Sequence, residues 1–381
     1  MSQSVHVLHV IDSLTLGGAE VQVSQLVRGL QQHGHFRVSL CYSTPGPLEA
    51  ELTAAGVPLT RLRRRARLDP ALLFGICQVI RRDPPQIVHT HLFKSDMHGR
   101  LAGRLCGVPV VLSSLRNCDA WAQRPLLGRV YGATAALTDH LVAVSEDVRQ
   151  YHIRYSHLPP AKVTTIENGV DVRRFAGQAE AGHALRRELG VSPETPLIGM
   201  VGRLKPQKDP SMFLEAAARI RQAQPHARFW MVGDGPLRAD LGEQTRQLGL
   251  AEAVTFCGVR QDIPAVLAAL DVLTLTSRWE GLPGTVLEGM AAGRPVVATA
   301  AEGTRSVVVD GETGLLVPVG DAPALAAACL RILADPALGQ RLGQAGQRRA
   351  QARYSLTALV DRTVALYNDW LSRKTGRAAY P

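Results

Sequence analysis

Two glutamates lie on either side of a short turn rich in glycine and proline. Glu280 precedes the sequence Gly-Leu-Pro-Gly, and Glu288 follows it. An apolar strand at 272–276 comes before the pair, a helix is predicted to begin near Thr285, and a second strand follows at 295–299. In open α/β sheets ligands bind at the carboxyl ends of the strands, and the backbone N–H groups at a helix start favour an anion such as a diphosphate. The pattern predicts a site that holds a phosphate-bearing ligand and binds its hydroxyls through two carboxylates.

Two cations follow another apolar strand. Arg203 and Lys208 come after the strand at 197–201 and straddle a turn that contains Pro206. Fixed cations can stabilise the charge that a diphosphate leaving group gains in a transition state, without a metal. The alternative is a pair of surface cations that cap a helix through Asp209. The two cations also argue against a glycosidase, in which a pair of carboxylates cleaves the glycosidic bond and no phosphate-binding cations are needed.

Two further motifs follow strands in the first half of the chain. Gly17 and Gly18 separate a strand from a helix, where glycine lets the backbone approach a ligand closely. An ordinary tight turn fits the pair equally well, and no Gly-x-Gly-x-x-Gly fingerprint supports NAD binding. His89 and His91 alternate on one side of a strand, but no cluster of ligands has convincing metal spacing. We therefore predict no metal site and no cofactor.

Strand and helix signals alternate along the chain, which predicts parallel α/β layers. The pattern starts again near residue 195, as two Rossmann-like domains would require, with a linker at 168–182. The predicted strands lie at 5–10, 38–41, 86–89, 108–113, 140–144, 197–201, 227–232, 254–256, 272–276 and 295–299. The predicted helices lie at 19–31, from Ser145, at 211–223, 236–248, 323–333, 337–352 and 354–371.

The bulk properties favour an intracellular protein of two domains. The chain has 381 residues, of which 46% are hydrophobic, and two domains are expected at this length. No apolar run approaches the roughly 18 residues of a membrane span, and residues 1–10 lack the basic region of a secretion signal. The six cysteines have no Cys-x-x-Cys spacing, which favours reduced thiols and a cytoplasmic location.

The net charge is +10, and the densest run of basic residues lies at 61–67. The members of this run are Arg61, Arg63, Arg64, Arg65 and Arg67. No aromatic residues interleave with them and no reader motif accompanies them, so we expect no nucleic-acid partner. An anionic membrane surface is the partner that we predict, with peripheral contact on the inner face of the membrane. A solvated loop is the alternative.

Together these motifs resemble the retaining glycosyltransferases of family 4, which have the two-Rossmann-domain GT-B fold and are also described as glycosyl transferases group 1. The segments that carry the resemblance, in the family's order, are 11–20, 88–93, 166–171, 202–209, 232–236 and 278–299. The resemblance implies two Rossmann-like domains that face each other across a cleft. It places the acceptor-side domain at 1–175 and the nucleotide-sugar domain at 176–355. It also implies a C-terminal helix, within 356–381, that packs back on the first domain.

The resemblance also implies residue roles. Gly17 and Gly18 would form a wall of the donor-sugar cleft and His91 would reach the donor sugar, while Glu280 would bind sugar hydroxyls and Glu288 the ribose hydroxyls. The catalytic residues that it implies are Glu280, His91, Arg203 and Lys208. The donor-binding residues that it implies are Gly17, Gly18, Arg203, Lys208, Gly233, Val259, Arg260, Glu280, Gly281, Leu282, Pro283 and Glu288.

The implied activity is transfer of a hexose-type sugar, with retention and without a metal, from a UDP- or GDP-sugar to a glycan or lipid-linked acceptor. Two alternatives share this fold: a nucleotide-sugar epimerase and a non-catalytic nucleotide-sugar binding protein. One segment departs from the family pattern, which usually has Gly-Gly-x-x-Glu after the second strand. Here the segment is Glu302-Gly303-Thr304-Arg305-Ser306, and an altered sugar preference is one expected consequence.

Overall fold

The computed structural model describes residues 4–63 and 69–376. Its strands, in chain order, are β1 (Val5–Ser13), β2 (Phe36–Thr44), β3 (Leu59–Arg61), β4 (Ile87–His91), β5 (Val110–Leu115), β6 (His140–Ala143), β7 (Val163–Thr165), β8 (Leu197–Val201), β9 (Arg228–Val232), β10 (Val254–Gly258), β11 (Val272–Leu275), β12 (Val296–Thr299) and β13 (Leu315–Val317).

The α-helices, in the same order, are α1 (Gly18–Gln32), α2 (Leu48–Ala54), α3 (Pro70–Arg82), α4 (Phe93–Leu105), α5 (Pro125–Thr134), α6 (Glu146–Tyr155), α7 (Ala179–Glu188), α8 (Pro210–Ala223), α9 (Arg238–Gln247), α10 (Ile263–Ala269), α11 (Gly284–Ala291), α12 (Thr304–Val307), α13 (Ala322–Ala334), α14 (Pro336–Arg353) and α15 (Leu356–Thr375). Short 3-10 helices lie at Ala135–Leu137, Pro160–Lys162, Val172–Phe175 and Pro206–Lys208.

The first compact body contains the described residues up to Gly169 and those from Leu356 onward. Its parallel sheet has the order β3-β2-β1-β4-β5-β6-β7, so the strand order reverses between β1 and β4. Both faces of the central strands are buried, as expected for a parallel sheet covered by helices. On one face, Val7 and Ile11 belong to the same apolar core as residues of α1 and α15. Helix α15 packs on α1, which confirms the predicted return of the C-terminal helix to the first domain.

The second compact body is Val170–Ser355. Its parallel sheet has the order β10-β9-β8-β11-β12-β13, which again reverses next to the first strand, between β8 and β11. Its core joins Phe213 of α8, Met231 of β9 and Leu325 of α13. The bodies divide before Val170 and not at the expected 175/176, because the 3-10 helix Val172–Phe175 packs on α10 and α11 of the second body.

The prediction of two Rossmann-like domains is therefore confirmed. The strands β3, β7 and β13 were not predicted, because three residues are too few to show an alternation of apolar and polar side chains. Arg61 lies in β3, whereas the alternative to membrane contact placed it in a solvated loop. The cap expected at Ser145 is present, since its side chain accepts a hydrogen bond from the N–H of Val148.

Among the described residues, no single helix combines the length and the apolar composition needed to cross a membrane. Helices α13 and α14 reach that composition only when counted together, across a bend of 104°.

Candidate active site

The crevice at the β8/β11 switch point brings together two of the predicted site residues. Such a reversal in strand order makes the loops on either side diverge at the carboxyl edge of the sheet, where α/β proteins bind ligands. Lys208 lies in the loop after β8 and Glu280 in the loop after β11. The Lys208 Nζ is 2.5 Å from the Glu280 Oε1, and their side chains are only 16% and 8% exposed. The fold thus joins a cation and a carboxylate in a largely buried ion pair.

Only one oxygen of the Glu280 carboxylate is engaged in this pair. The buried Ser277 hydroxyl donates a hydrogen bond of 2.5 Å to the same Oε1 that binds Lys208. Within the described part of the chain, no hydrogen bond reaches Oε2. Because Oε1 is held by two donors, the carboxylate is fixed in orientation and Oε2 remains available to accept a hydroxyl.

Three hydrogen bonds to backbone carbonyl groups join the two loops to each other. The Arg278 N–H donates to the carbonyl of Gln207 over 2.8 Å, and the Gln207 Nε2 donates to the carbonyl of Trp279 over 2.9 Å. The Thr276 hydroxyl donates to the carbonyl of Lys208 over 2.7 Å. These bonds position Lys208 and Glu280 by rigid backbone, as a site of fixed geometry requires.

The alternative that the cations only cap a helix through Asp209 finds no support for Lys208. Asp209 has a left-handed backbone, with φ of 44°, and its side chain makes no cap hydrogen bond. Its carboxylate pairs with the Arg278 Nε at 2.9 Å. Arg203 lies in the same loop with an exposed side chain.

Two glycines in this region are required by close backbone contacts. At Gly233, where φ is 130°, an added Cβ would lie 2.0 Å from the carbonyl oxygen of Gly202. At Gly303, where φ is 77°, it would lie 2.4 Å from the carbonyl oxygen of Gly281. Gly233 was expected to bind the donor, and the structure gives it a packing role that explains the glycine by itself.

The segment that departs from the family pattern is tied to the Glu280 loop. The Glu280 N–H donates to the carbonyl of Glu302 over 3.2 Å. Ser306, at the position where the family usually has glutamate, uses its hydroxyl locally and donates to the carbonyl of Gly303 over 2.8 Å. The Glu302 side chain is exposed. Backbone contacts therefore maintain the fold of this segment. Its carboxylate belongs to Glu302, and the usual position of the family's glutamate is occupied by Ser306.

Glu288 lies one turn inside α11 and has an unusual environment. Its carboxylate has no hydrogen-bond partner among the described residues, and burial raises its pKa to about 7, although the positive charge of Arg174 acts in the opposite direction. A carboxylate that is desolvated and unpartnered destabilises the free protein. Ligand hydroxyls would supply the missing hydrogen bonds, which agrees with the ribose-binding role implied by the resemblance.

We predict that Glu288→Gln stabilises the free protein above pH 7. The folded-state pKa is raised, so stability that is present below the ordinary pKa of 4.5 is lost as the pH rises through about 7. The cost is on the order of 1 to 3 kcal/mol, reduced by the residual exposure of the side chain. Denaturant unfolding at pH 8 and pH 5, with the exposed Glu215→Gln as control, checks this. A Glu288→Gln variant no more stable than the parent at pH 8 would contradict it.

The other predicted donor-binding residues of the second body also follow strands. Gly281, Leu282 and Pro283 are buried and connect Glu280 to α11. Val259 is 61% exposed just beyond β10. The neighbouring Arg260 makes two bonds to Asp262, of 2.8 and 2.6 Å, which raise its pKa. Arg260 therefore has a local partner, and its contact with a donor stays a prediction.

In the first body, Gly17 and Gly18 lie at the beginning of α1, beyond the carboxyl end of β1. An added Cβ at Gly17 would lie 2.0 Å from the carboxylate of Glu20, which accepts a hydrogen bond from Ser13. An added Cβ at Gly18 would meet nothing within 4 Å. Gly18 is therefore not required by packing within the free protein.

We predict that Gly18→Ala leaves the fold intact and lowers donor use. Alanine is the better helix former by up to about 1 kcal/mol, so the unfolding midpoint should be unchanged or raised. If the open space beside Gly18 receives the donor, the extra methyl group should lower kcat/KM for the nucleotide sugar by about tenfold, equivalent to about 1.4 kcal/mol. Full activity in a stably folded variant would show that this glycine does not line the donor site.

His91 ends β4, and the structure surrounds it with residues that the sequence reasoning did not identify. The side chains of His9, His89 and His91 cluster with their nitrogens within 4.8 Å of one another. The Arg116 guanidinium, at 3.1 Å, can only donate to the His91 Nδ1, so the neutral His91 ring carries its proton on Nε2. That proton is donated to the His9 Nδ1 over 2.9 Å. Both nitrogens of His91 are therefore engaged inside the first body.

The histidine cluster is suited to hydrogen bonding more than to metal binding. The nitrogens of His89 are both engaged, with the hydroxyl of Tyr367 at 2.7 Å and that of Ser114 at 2.8 Å. Burial lowers the pKa of His9 to about 3 and those of His89 and His91 well below the usual value, so all three rings are neutral at pH 7. The adjacent Arg116 cation would oppose a divalent metal.

His9 and Arg116 had only weak sequence signals. His9 occupies the position of β1 that pairs with His89 of β4, so only the strand register reveals it. Arg116 is the first charged residue after the apolar strand β5, a signal that can be recognised once the carboxyl edge of the sheet is considered. Ser277, which holds Glu280, is an ordinary serine in sequence terms.

Comparison with known proteins decides the family. The family model described as "Glycosyltransferase Family 4" matches residues 16–174, and the model "Glycosyl transferases group 1" matches residues 195–335. The D-inositol 3-phosphate glycosyltransferase of Salinispora arenicola is 32% identical over 307 residues, which cover 74% of this chain and 68% of that protein. The chain belongs to glycosyltransferase family 4.

Two further relatives cover this glycosyltransferase almost completely. The UDP-Gal:alpha-D-GlcNAc-diphosphoundecaprenol alpha-1,3-galactosyltransferase of Escherichia coli is 29% identical over 379 residues, covering 93% of this chain and 97% of that one. The crystal structure of Anabaena HepE in complex with UDP-glucose matches with a TM-score of 0.87 and 22% identity, covering 96% of this chain and 99% of that chain. The structural match shows the shared GT-B fold. The predicted glycosyltransferase activity with a nucleotide-sugar donor is confirmed.

Proposed function

We propose that this glycosyltransferase transfers a hexose from a UDP- or GDP-sugar to a glycan or lipid-linked acceptor with retention of configuration and without a metal ion. The observation that carries the proposal is the Lys208–Glu280 pair at the β8/β11 switch point, in which Glu280 keeps one oxygen available. The lysine would bind the diphosphate, and the available carboxylate oxygen would accept a hydroxyl of the sugar attached to it. One closely packed pair would thus bind both sides of the bond that breaks.

In the proposed reaction the donor diphosphate displaces Glu280 as the main partner of Lys208. Negative charge grows on the leaving diphosphate as the bond to the sugar breaks, and Lys208 and Arg203 stabilise that charge. The acceptor hydroxyl attacks from the side of the leaving group, and a leaving phosphate oxygen takes its proton. Glu288 binds the ribose hydroxyls and Glu280 orients the sugar.

The names of relatives support the proposed substrate classes. The Escherichia coli relative uses UDP-Gal and a sugar linked to diphosphoundecaprenol, which supports a UDP-sugar donor and a lipid-linked acceptor for this chain. An initial screen should measure the thermal unfolding midpoint with UDP- and GDP-sugars, since a bound donor stabilises the folded state by mass action. No shift with any nucleotide sugar at millimolar concentration would argue against the proposal.

The membrane partner stays a prediction. Arg61 and Arg63 have exposed side chains, as contact with an anionic surface requires. Arg64, Arg65 and Arg67 lie outside the described residues.

We predict that activity survives excess chelator. Lys208 and Arg203 supply the positive charge that a metal would otherwise bring to the diphosphate, and the three clustered histidines lie beside the Arg116 cation, whose charge opposes a divalent metal. Initial rates should agree within about twofold with and without EDTA, well under the roughly 1.4 kcal/mol of a tenfold change. Complete loss of activity with EDTA, restored by Mg²⁺ or Mn²⁺, would overturn the metal-free proposal.

A further inference from the structure

Arg116 is a cation without a matching anion in the first body. It follows β5 directly, at the carboxyl edge of the sheet, beside His91 at the end of β4. Its guanidinium donates to the His91 Nδ1 and to the Asn168 Oδ1, both over 3.1 Å. Both acceptors are neutral. Within the described residues, no carboxylate lies within ion-pair distance of it, and the charges of Glu20 and Asp96 act only from further away.

The nearest carboxylates are committed to other donors. Asp96 accepts hydrogen bonds of 2.5 Å from Thr90 and from Tyr131 and pairs with Arg100 at 3.5 Å. Glu20 accepts a hydrogen bond of 2.7 Å from Ser13. With the histidines neutral, the positive charge of Arg116 has no carboxylate in contact with it among the described residues. Burying such a charge without a partner is costly, so native proteins usually supply one.

Most of the hydrogen-bonding capacity of Arg116 is unused. A guanidinium has five N–H donors, and two are engaged, by His91 and Asn168, which leaves three. The Nε is buried and has no partner within the described part of the chain. The side chain as a whole keeps partial exposure, so a ligand can reach it. Its orientation is fixed by His91, which is itself held by His9.

We infer that Arg116 binds an oxyanion, specifically a phosphate group of a substrate. The planar fork of a guanidinium matches two phosphate oxygens, and burial lowers the pKa of Arg116 only to about 10, so it stays charged at neutral pH. The inference rests on the proposed function, whose substrates carry phosphates on the donor and, for a lipid-linked acceptor, on the acceptor as well. Phosphate is the shared chemistry, and the experiment separates these two sources.

The test uses the full chain and two probes, inorganic phosphate and UDP. In an Arg203→Ala/Lys208→Ala background, which removes the proposed diphosphate grip of the second body, phosphate titrations are measured against chloride at matched ionic strength. We expect phosphate binding to persist in this background. It should weaken at least tenfold when Arg116→Gln is added and by less with Arg116→Lys, while the exposed Arg81→Gln changes nothing. Binding is scored by calorimetry, so a change in stability alone is not mistaken for it.

UDP binding then identifies the source of the phosphate. Weakening of UDP binding by Arg116→Gln in the otherwise unmodified protein assigns the phosphate to the donor, and unchanged UDP binding assigns it to the acceptor. Absence of phosphate binding in the Arg203→Ala/Lys208→Ala background, or binding that Arg116→Gln leaves unchanged, would overturn the inference. If Arg116→Gln does not fold, weaker phosphate binding in Arg116→Lys supports the inference, and unchanged phosphate binding in that variant overturns it. Failure of the proposed function would look different, because the unmodified protein would then bind neither UDP nor GDP.

Discussion

Replacing Lys208 by alanine should lower kcat/KM for the nucleotide sugar by about 10²- to 10³-fold. One charge-assisted contact to a developing anion in a closed site contributes roughly 2–4 kcal/mol to transition-state binding. The variant should also be less stable, because Ser277 is then the only hydrogen-bond partner that the described residues supply to Oε1 of the buried Glu280. Steady-state kinetics and denaturant unfolding measure both effects.

Arg203→Ala provides the matched comparison. The Arg203 side chain is exposed, so its removal should cost a similar factor in kcat/KM with little change in stability. The exposed Arg219 on α8 serves as a control, since Arg219→Ala should alter neither quantity. Turnover within about twofold of the parent in Lys208→Ala or Arg203→Ala, a change below about 0.5 kcal/mol, would remove that residue from the diphosphate grip.

Replacing Glu280 by glutamine should lower kcat/KM for the complete donor by about 10²-fold, or about 2.7 kcal/mol. The charged acceptor of the sugar hydroxyls is lost, and hydrogen bonds to charged groups are the stronger ones. Binding of the nucleoside diphosphate alone should be unchanged or tighter, because Lys208 no longer has to leave a carboxylate to bind phosphate. Ser277→Ala, which removes one of the two donors to Oε1, should show a smaller loss of the same kind.

Glu288→Gln is the contrasting variant. Glu288 is expected to bind the ribose, so its replacement should weaken UDP binding measured by calorimetry as well as donor use. A carboxylate with a pKa of about 7 is ionised over the upper part of the neutral range, so UDP binding by the parent should tighten between pH 6 and pH 8. This pH dependence should be smaller in Glu288→Gln, where only the ionisation of the terminal phosphate of UDP, with a pKa of about 6, remains. Equal weakening of UDP binding by the Glu280 and Glu288 variants would contradict the division of roles.

The sequence was sufficient for the fold and for the loops of the candidate site. Lys208 and Glu280 each follow an apolar strand, and the carboxyl ends of parallel strands share one edge of a sheet. Their approach to 2.5 Å was not predictable, since it depends on β8 and β11 being neighbours, and strand order is a property of the tertiary fold. That Ser277 and Lys208 donate to the same oxygen of Glu280 also depends on the tertiary fold.

The missed residues have a common physical reason. His9 lies in the middle of an apolar strand, and its contact with His91 depends on the parallel register that pairs Ile11 with His91. Arg116 stands out only when its surroundings are known, because the sequence does not show which charged residues lie near it in the fold. The donor contact of Gly233 stays a prediction, because the close approach of Gly233 to the Gly202 backbone already accounts for the glycine.

One measurement tests the central claim directly and needs no knowledge of the acceptor. The protein is incubated with an α-linked UDP-sugar or GDP-sugar that binds in the thermal screen, and the anomeric signals of the released or transferred sugar are followed by NMR. We expect transfer or slow hydrolysis that releases the α-anomer first, with EDTA present, and a reaction slower by about 10²-fold or more in Lys208→Ala. First appearance of the β-anomer would contradict retention. A new sugar epimer would indicate an isomerase, and a bound but unchanged donor would indicate a binding protein without transferase activity.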